Sequence, residues 1–136
     1  MNKKLDKFKA LADETRLRIL NLFIKSGKNL CVCELVDSLK MPQYHISKHL
    51  NILRSAGFFN PEREGTWIYY NLNIADPSNK ELFNFLKLYL NEKQFETDYE
   101  LLKQRLLLRE EGKCVVGFVS EDELLKKIKI KTMEAK

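Results

Sequence analysis

The sequence predicts a mainly α-helical chain carrying one β-hairpin. Three observations support this. Apolar residues recur at helical spacing in the N-terminal third, as in Leu17, Ile19, Leu20, Phe23 and Ile24. A short break at Lys40-Met41-Pro42 then separates two helical patterns, the second polar along one side. Beyond it, two runs with strand-like alternation, residues 58–63 and 66–72, meet at the turn-forming Arg63-Glu64-Gly65-Thr66.

The elements follow in order. Leu5, Phe8 and Leu11 give residues 5–11 the pattern of a short amphipathic helix. Asp13 can cap a second helix, which Gly27 ends. Residues 31–39 read as a third helix holding Leu35, Val36 and Leu39. Pro42 suits the first turn of a fourth, residues 42–55, with Ile46, Leu50 and Leu53 on one face. Tyr44, Ser47, Lys48, Asn51 and Ser55 fall on the other. Two helices joined by a tight turn, the second polar outward, form a helix-turn-helix whose second helix can enter a major groove. Gly57 stops that helix. A hairpin after it, with Trp67 and Tyr69 alternating with Ile68 and Tyr70, completes the layout of a winged helix.

Pro77-Ser78 opens a further long helix, with Ser78 and Glu81 spaced as a capping box. Residues 82–108 are dense in Leu, Phe and Tyr, more than one small domain needs on a single face, which suits a dimer interface. A short apolar run, residues 114–119, and a second capping box, Ser120 with Glu123, lead into a last basic helix. The expected division is a winged helix-turn-helix and dimerisation unit, residues 1–109, and a C-terminal extension, residues 110–136, that carries Cys114. Dimerisation is expected through terminal helices.

A chain of 136 residues with 44% hydrophobic and 32% charged residues fits one globular domain. The net charge of +5 and pI near 9.1 favour an anionic partner. No apolar run reaches the length of a membrane span, and the polar start Met1-Asn2-Lys3-Lys4 leads into no apolar segment. The expectation is a cytoplasmic protein with no membrane partner and reduced thiols. Three cysteines, an odd number, point away from a disulfide framework.

Cys31-Val32-Cys33 stands immediately before the helix-turn-helix. Two thiols one residue apart begin a binding site for a soft, thiophilic ion, and Cys114 can complete a three-sulfur site. Three sulfurs without His or carboxylate suit trigonal arsenite or antimonite better than tetrahedral zinc. On a regular helix, residues two apart point roughly 200° from one another, so binding is expected to distort the start of the third helix. Other readings stand beside this one. Cys31 and Cys33 can be small buried hydrophobes, Cys114 can serve packing alone, and a dithiol pair can oxidise. Gln43, Tyr44, Ser47 and Lys48 are candidates for contacts to bases or phosphates, with Arg63 of the wing reaching phosphate or the minor groove. His49 shares that helix, lies toward its apolar side, and can orient it through a hydrogen bond. An enzyme is not expected. A Cys nucleophile needs a base and an orienting group, and both His45 and His49 belong to the DNA-facing helix.

These residues resemble a known family. Leu11-Ala12-Asp13-Glu14-Thr15-Arg16-Leu17-Arg18-Ile19-Leu20 resembles the second-helix signature of the ArsR–SmtB metalloregulatory repressors. Leu30-Cys31-Val32-Cys33-Glu34-Leu35 resembles the metal box of its arsenic- and cadmium-sensing branches. Gln43-Tyr44-His45-Ile46-Ser47-Lys48-His49-Leu50 resembles its recognition helix, and Arg63-Glu64-Gly65 with Tyr69-Tyr70 its wing. The resemblance implies a homodimeric repressor of the arsenic-sensing type. Such a repressor sits on double-stranded operator DNA with inverted-repeat half-sites until As(III) or Sb(III) binds its cysteines, here Cys31 and Cys33, with Cys114 the remaining candidate for a third sulfur. It uses no organic cofactor. His49 joins Gln43, Tyr44, Ser47, Lys48 and Arg63 in the DNA-binding set that the recognition helix and wing imply. In several arsenic sensors of the family a third cysteine lies three residues after the second; here that position is Val36. The N-terminal arm has none of the thiols of the cadmium-type site, and the last long helix none of the His residues of the zinc and nickel sensors. Response to thiol oxidation, or to another soft metal such as cadmium or lead, is the alternative.

Overall fold

A computed structural model describes residues 1–134; Ala135 and Lys136, the end of the expected extension, lie outside the described residues. The described chain runs α1 (Asn2–Leu11), α2 (Glu14–Ser26), β1 (Leu30–Cys31), α3 (Val32–Leu39), α4 (Gln43–Ser55), β2 (Phe59–Glu64), β3 (Trp67–Leu72), α5 (Pro77–Tyr89), α6 (Lys93–Leu106) and α7 (Glu121–Glu134). This is the mainly helical winged helix-turn-helix that the sequence predicts.

Local chemistry sets each boundary. The Asp13 carboxylate accepts a 3.0 Å hydrogen bond from the Arg16 backbone N–H and starts α2. Gly27, at φ +65°, ends it in the left-handed region that glycine reaches without strain. Lys40 takes the same conformation (φ +56°) between α3 and α4, and Pro42 caps α4 in extended geometry. β2 and β3 pair antiparallel from Phe59↔Leu72 to Glu64↔Trp67, leaving Gly65-Thr66 as a two-residue turn. Gly65 has φ +61°, as the first position of a type II′ turn requires.

Four local expectations are corrected. The third helix begins at Val32, because Leu30 and Cys31 form β1 and pair with Tyr70 and Tyr69 of β3. Pro42 is the cap of α4 rather than its first turn. Asp76, not a Ser78–Glu81 box, caps α5: its carboxylate accepts from the Ser78 backbone N–H at 3.0 Å, with Pro77 in the first turn. The apolar stretch 82–108 is two helices, broken around Leu90–Glu92. That break lets both arms lie against α2. Phe83 of α5 and Leu102 of α6 enter the same core as Leu20, Phe23 and Leu50. Across the second contact Arg18 of α2 grips Asp98 of α6 with two bonds of 2.8 and 2.9 Å. Ser120, as expected, accepts from the Glu123 backbone N–H at 3.2 Å and begins α7.

The core lies between α2, α3, α4, the foot of the wing and α6, filled by Ile19, Leu20, Leu22, Phe23, Leu35, Ile46, Leu50, Leu53 and Phe58. It fixes the helix-turn-helix from behind and leaves the outer side of α4 open. No helix among the described residues is long and apolar enough to cross a membrane.

Candidate thiol site and nucleic-acid interface

The three cysteines come together from both ends of the chain. Cys31 ends β1, Cys33 lies in the first turn of α3, and Cys114 sits in the segment between α6 and α7. All three side chains are buried and pack with Tyr69 and Trp67. The Cys33 and Cys114 sulfurs are 3.8 Å apart. The Cys31 and Cys114 sulfurs and a Glu34 carboxylate oxygen lie within 4.8 Å of one another. Cys31 is extended (φ −91°, ψ 158°) rather than helical, so its thiol turns toward the other two. The expected unwinding of α3 is therefore not needed; the strand-to-helix junction already makes the thiols converge.

Three anchors bring Cys114 to this place. Its backbone N–H donates to the Tyr69 hydroxyl at 2.9 Å. Arg105, 1% exposed, donates to the Val116 carbonyl at 2.7 Å and pairs with Asp37 of α3 at 2.6 Å. Arg109 grips Glu34 of α3 with two 2.7 Å bonds and donates to the Asn29 carbonyl at 2.6 Å. Glu34 in turn accepts from the Cys31 backbone N–H at 3.0 Å, so the carboxylate ties the start of α3 to the tail.

The sulfurs share charge unequally. Hydrogen bonds from Cys114 and Cys31 to the Cys33 sulfur, aided by the Arg105 charge, outweigh burial and hold Cys33 well below the ordinary thiol range. The same bonds, with Cys114 and then Cys33, push Cys31 up, and burial adds to this. Burial likewise raises the Tyr69 phenol, outweighing the lowering bond from Cys114. The arrangement supplies three convergent sulfurs, Cys33 the most acidic of them, and two neighbouring guanidinium groups. Three soft donors without an imidazole fit a thiophilic ion of trigonal preference.

On α4, Gln43, Tyr44 and Lys48 are exposed, Tyr44 by 77%, and Ser47 is half-buried beside them. Arg63 is exposed on β2 of the wing. These side chains line the open side of the helix-turn-helix. His49 does not belong to that surface. It is 5% exposed, and its Nδ1 lies 3.1 Å from Arg16 of α2. Arginine can only donate, so Nδ1 accepts and the ring proton rests on Nε2. Burial lowers the His49 pKa, outweighing the nearby Asp13 carboxylate. Its inclusion among the DNA contacts is corrected to a bond that joins α4 to α2.

Glu34, Tyr69, Arg105 and Arg109 escaped the reading of the sequence. Only the Cys31–Glu34 spacing, which matches a capping box, gave a local signal. The links that bring the tail to the cluster cross 45 residues between Tyr69 and Cys114, 68 between Asp37 and Arg105 and 75 between Glu34 and Arg109.

A winged helix-turn-helix with an open recognition helix defines a DNA-binding transcriptional regulator. Residues 13–60 match the model of a family described as bacterial regulatory protein, arsR family. The chain is 47% identical over 79 residues to the HTH-type transcriptional regulator MJ1325 of Methanocaldococcus jannaschii, covering 58% of this chain and 85% of that one. It is 44% identical over 73 residues to the arsenical resistance operon repressor of Bacillus subtilis, covering 54% and 69%. Its fold matches a homodimeric winged helix-turn-helix DNA-binding domain, Mb0332 from Mycobacterium bovis, with a TM-score of 0.54 and 29% identity over 68% of this chain and 82% of that one. This chain belongs to the ArsR family. Its relatives are DNA-binding regulators and not enzymes.

Proposed function

We propose that this protein is a homodimeric, cytoplasmic repressor that holds operator DNA and releases it when arsenite or antimonite binds Cys31, Cys33 and Cys114. The observation that carries this reading is the meeting of three buried sulfurs from the two ends of the chain, with Cys33 and Cys114 3.8 Å apart. Each thiol would replace one hydroxyl of arsenous acid. Three As–S bonds form, three As–O bonds break, and three waters leave, so no oxidant is consumed. The protein contributes the three converging thiols, the guanidinium groups of Arg105 and Arg109 beside them, and a buried setting.

Release follows from packing. Cys31 and Cys33 flank the start of α3, and α3 packs on α4 in the helix-turn-helix. An ion that draws both sulfurs toward Cys114 favours one placement of α3, and a DNA-bound state with another placement loses affinity in proportion. Gln43, Tyr44, Ser47, Lys48 and Arg63 meet the DNA in this reading, and a two-fold dimer reads inverted-repeat half-sites. The homodimeric description of the Mycobacterium bovis domain supports dimerisation here. So do the exposed Leu5 and Phe8 on α1 and Phe85, Leu88 and Tyr89 on α5. Residues 1–109 are then the DNA-binding and dimerisation unit, and residues 110–136 an extension that brings the third thiol.

The test is an arsenite titration of the reduced protein, followed by thiolate–arsenic absorbance and by release of fluorescent operator DNA. One ion per chain, with tight binding lost in Cys114→Ser, is the expected result. Absence of binding in the wild type overturns the proposal. A second reading, response to thiol oxidation, draws on the same 3.8 Å pair: a disulfide-exchange oxidant would form a Cys33–Cys114 bond and release the DNA in the absence of arsenite.

A further inference from the structure

Glu34 is a hard donor set among soft ones. Among the described residues it is the carboxylate that groups with the sulfurs, within 4.8 Å of Cys31 and Cys114. An ion held at roughly 2.3 Å from those sulfurs would have a carboxylate within reach. We propose that Arg109 sets which ions the cluster accepts, by keeping the Glu34 carboxylate out of the coordination shell so that the ion meets sulfur alone. The inference rests on the reading of the three cysteines as ligands.

Both carboxylate oxygens are already engaged. Oε2 accepts from Arg109 Nε at 2.7 Å. Oε1 accepts from Arg109 Nη2 at 2.7 Å and from the Cys31 backbone N–H at 3.0 Å. The pair is shielded from water: the Glu34 side chain is fully buried and that of Arg109 is 10% exposed. The guanidinium is itself held, by the Asn29 carbonyl at 2.6 Å and by the face of Tyr69, 5.9 Å from its ring centre. To reach ligand distance, Glu34 would have to move against a two-point ion pair and the Cys31 backbone bond in a buried setting, where few other partners exist.

The chemical consequence separates two classes of ion. Trigonal arsenite is satisfied by three sulfurs and gains little from a fourth donor. Zinc(II) prefers four ligands in a tetrahedron and accepts carboxylate oxygen beside thiolates. With Arg109 in place the cluster is complete for the first and one donor short for the second. Arg109 is thus a specificity-determining residue that need never touch the ion. Its loss removes one of the three anchors of Cys114, and Tyr69 and Arg105 still hold that segment.

The experiment is a competition titration of the full-length reduced protein with zinc(II), against a chromophoric chelator, and in parallel with arsenite. Arg109→Met should raise zinc affinity about tenfold or more, the scale on which neighbours of metal ligands act, while arsenite affinity moves by only a few-fold. Adding Glu34→Gln to that variant should abolish the zinc gain. Arsenite binding without any zinc gain in Arg109→Met overturns the role of Arg109. If circular dichroism finds Arg109→Met unfolded, Arg109→Lys, which keeps the charge but not the two-point grip, should give a smaller zinc gain, and no gain overturns the inference. Failure of the wild type to bind arsenite is a different outcome and removes the ligand reading on which the inference stands.

Discussion

Tyr69 serves two structures at once. Its backbone belongs to the wing strand β3, and its hydroxyl accepts the Cys114 N–H at 2.9 Å inside the thiol cluster. Tyr69→Phe would orphan a buried backbone donor, which costs about 1–3 kcal/mol. Urea unfolding should register that loss, and arsenite affinity should fall with it; unchanged stability would mean that the bond contributes nothing. His49 gives the second prediction at this scale. Burial lowers its folded pKa below the unfolded value of about 6.5. Between the two values the unfolded chain binds more protons, so stability rises with pH there and is lost as pH falls below about 6.5. His49→Asn, whose side-chain oxygen can still accept from Arg16, should flatten that part of the profile. Unfolding at about pH 7.5 and about pH 5.5 measures the difference, and an equal slope in both proteins would refute the assignment.

Elements differ in how far their own residues determine them. α2 is set locally by Asp13 at its start, apolar periodicity within, and Gly27 at its end. Gly27 has φ +65° with nothing within 4 Å of where a Cβ would stand. Gly27→Ala should therefore cost about 1–2 kcal/mol through backbone strain alone, visible as a lower thermal midpoint. The wing was equally legible, because alternation and the Glu64-Gly65-Thr66 turn agree with its register. α3 was less so: Cys31 reads as helical, yet its pairing with Tyr69 is a contact with a distant strand. The α5–α6 break was hidden for a similar reason. The break falls at the polar Asn91-Glu92-Lys93-Gln94, which carries neither Gly nor Pro to mark it, and both arms pack on α2. The cysteines themselves stood out in the sequence as ligand candidates. The arginines that hold Cys114 beside them did not, since a surface charge and a buried anchor look alike until the partner carboxylate is known.

For the whole molecule, the thiol cluster is a clasp between residues 81 positions apart. Chain-entropy arguments for a cross-link of that span give about 4–5 kcal/mol of stabilisation. Arsenite should therefore raise the thermal midpoint of the wild type strongly and that of Cys114→Ser far less; equal shifts would exclude the long-range bridge. Charge offers a further test. If Lys48 and Arg63 each meet a phosphate, the double alanine variant removes four contacts from the dimer and should reduce the slope of log K against log salt by roughly 3.6, at about 0.9 per contact. An unchanged slope would remove both residues from the DNA. The two ends of the molecule also share a pivot. Cys31 faces Tyr69 across one rung of the ladder, and at the next residue of β3 Ile68 faces Arg63. The hairpin turn stands about three residues beyond Tyr69, roughly 10 Å along the strand. A tilt of the strand by roughly 6° at the pivot swings the turn through roughly 1 Å, more than the range over which a hydrogen bond to DNA persists. The wing is in this sense a pointer, and an ion bound in the proposed site would press on its axle.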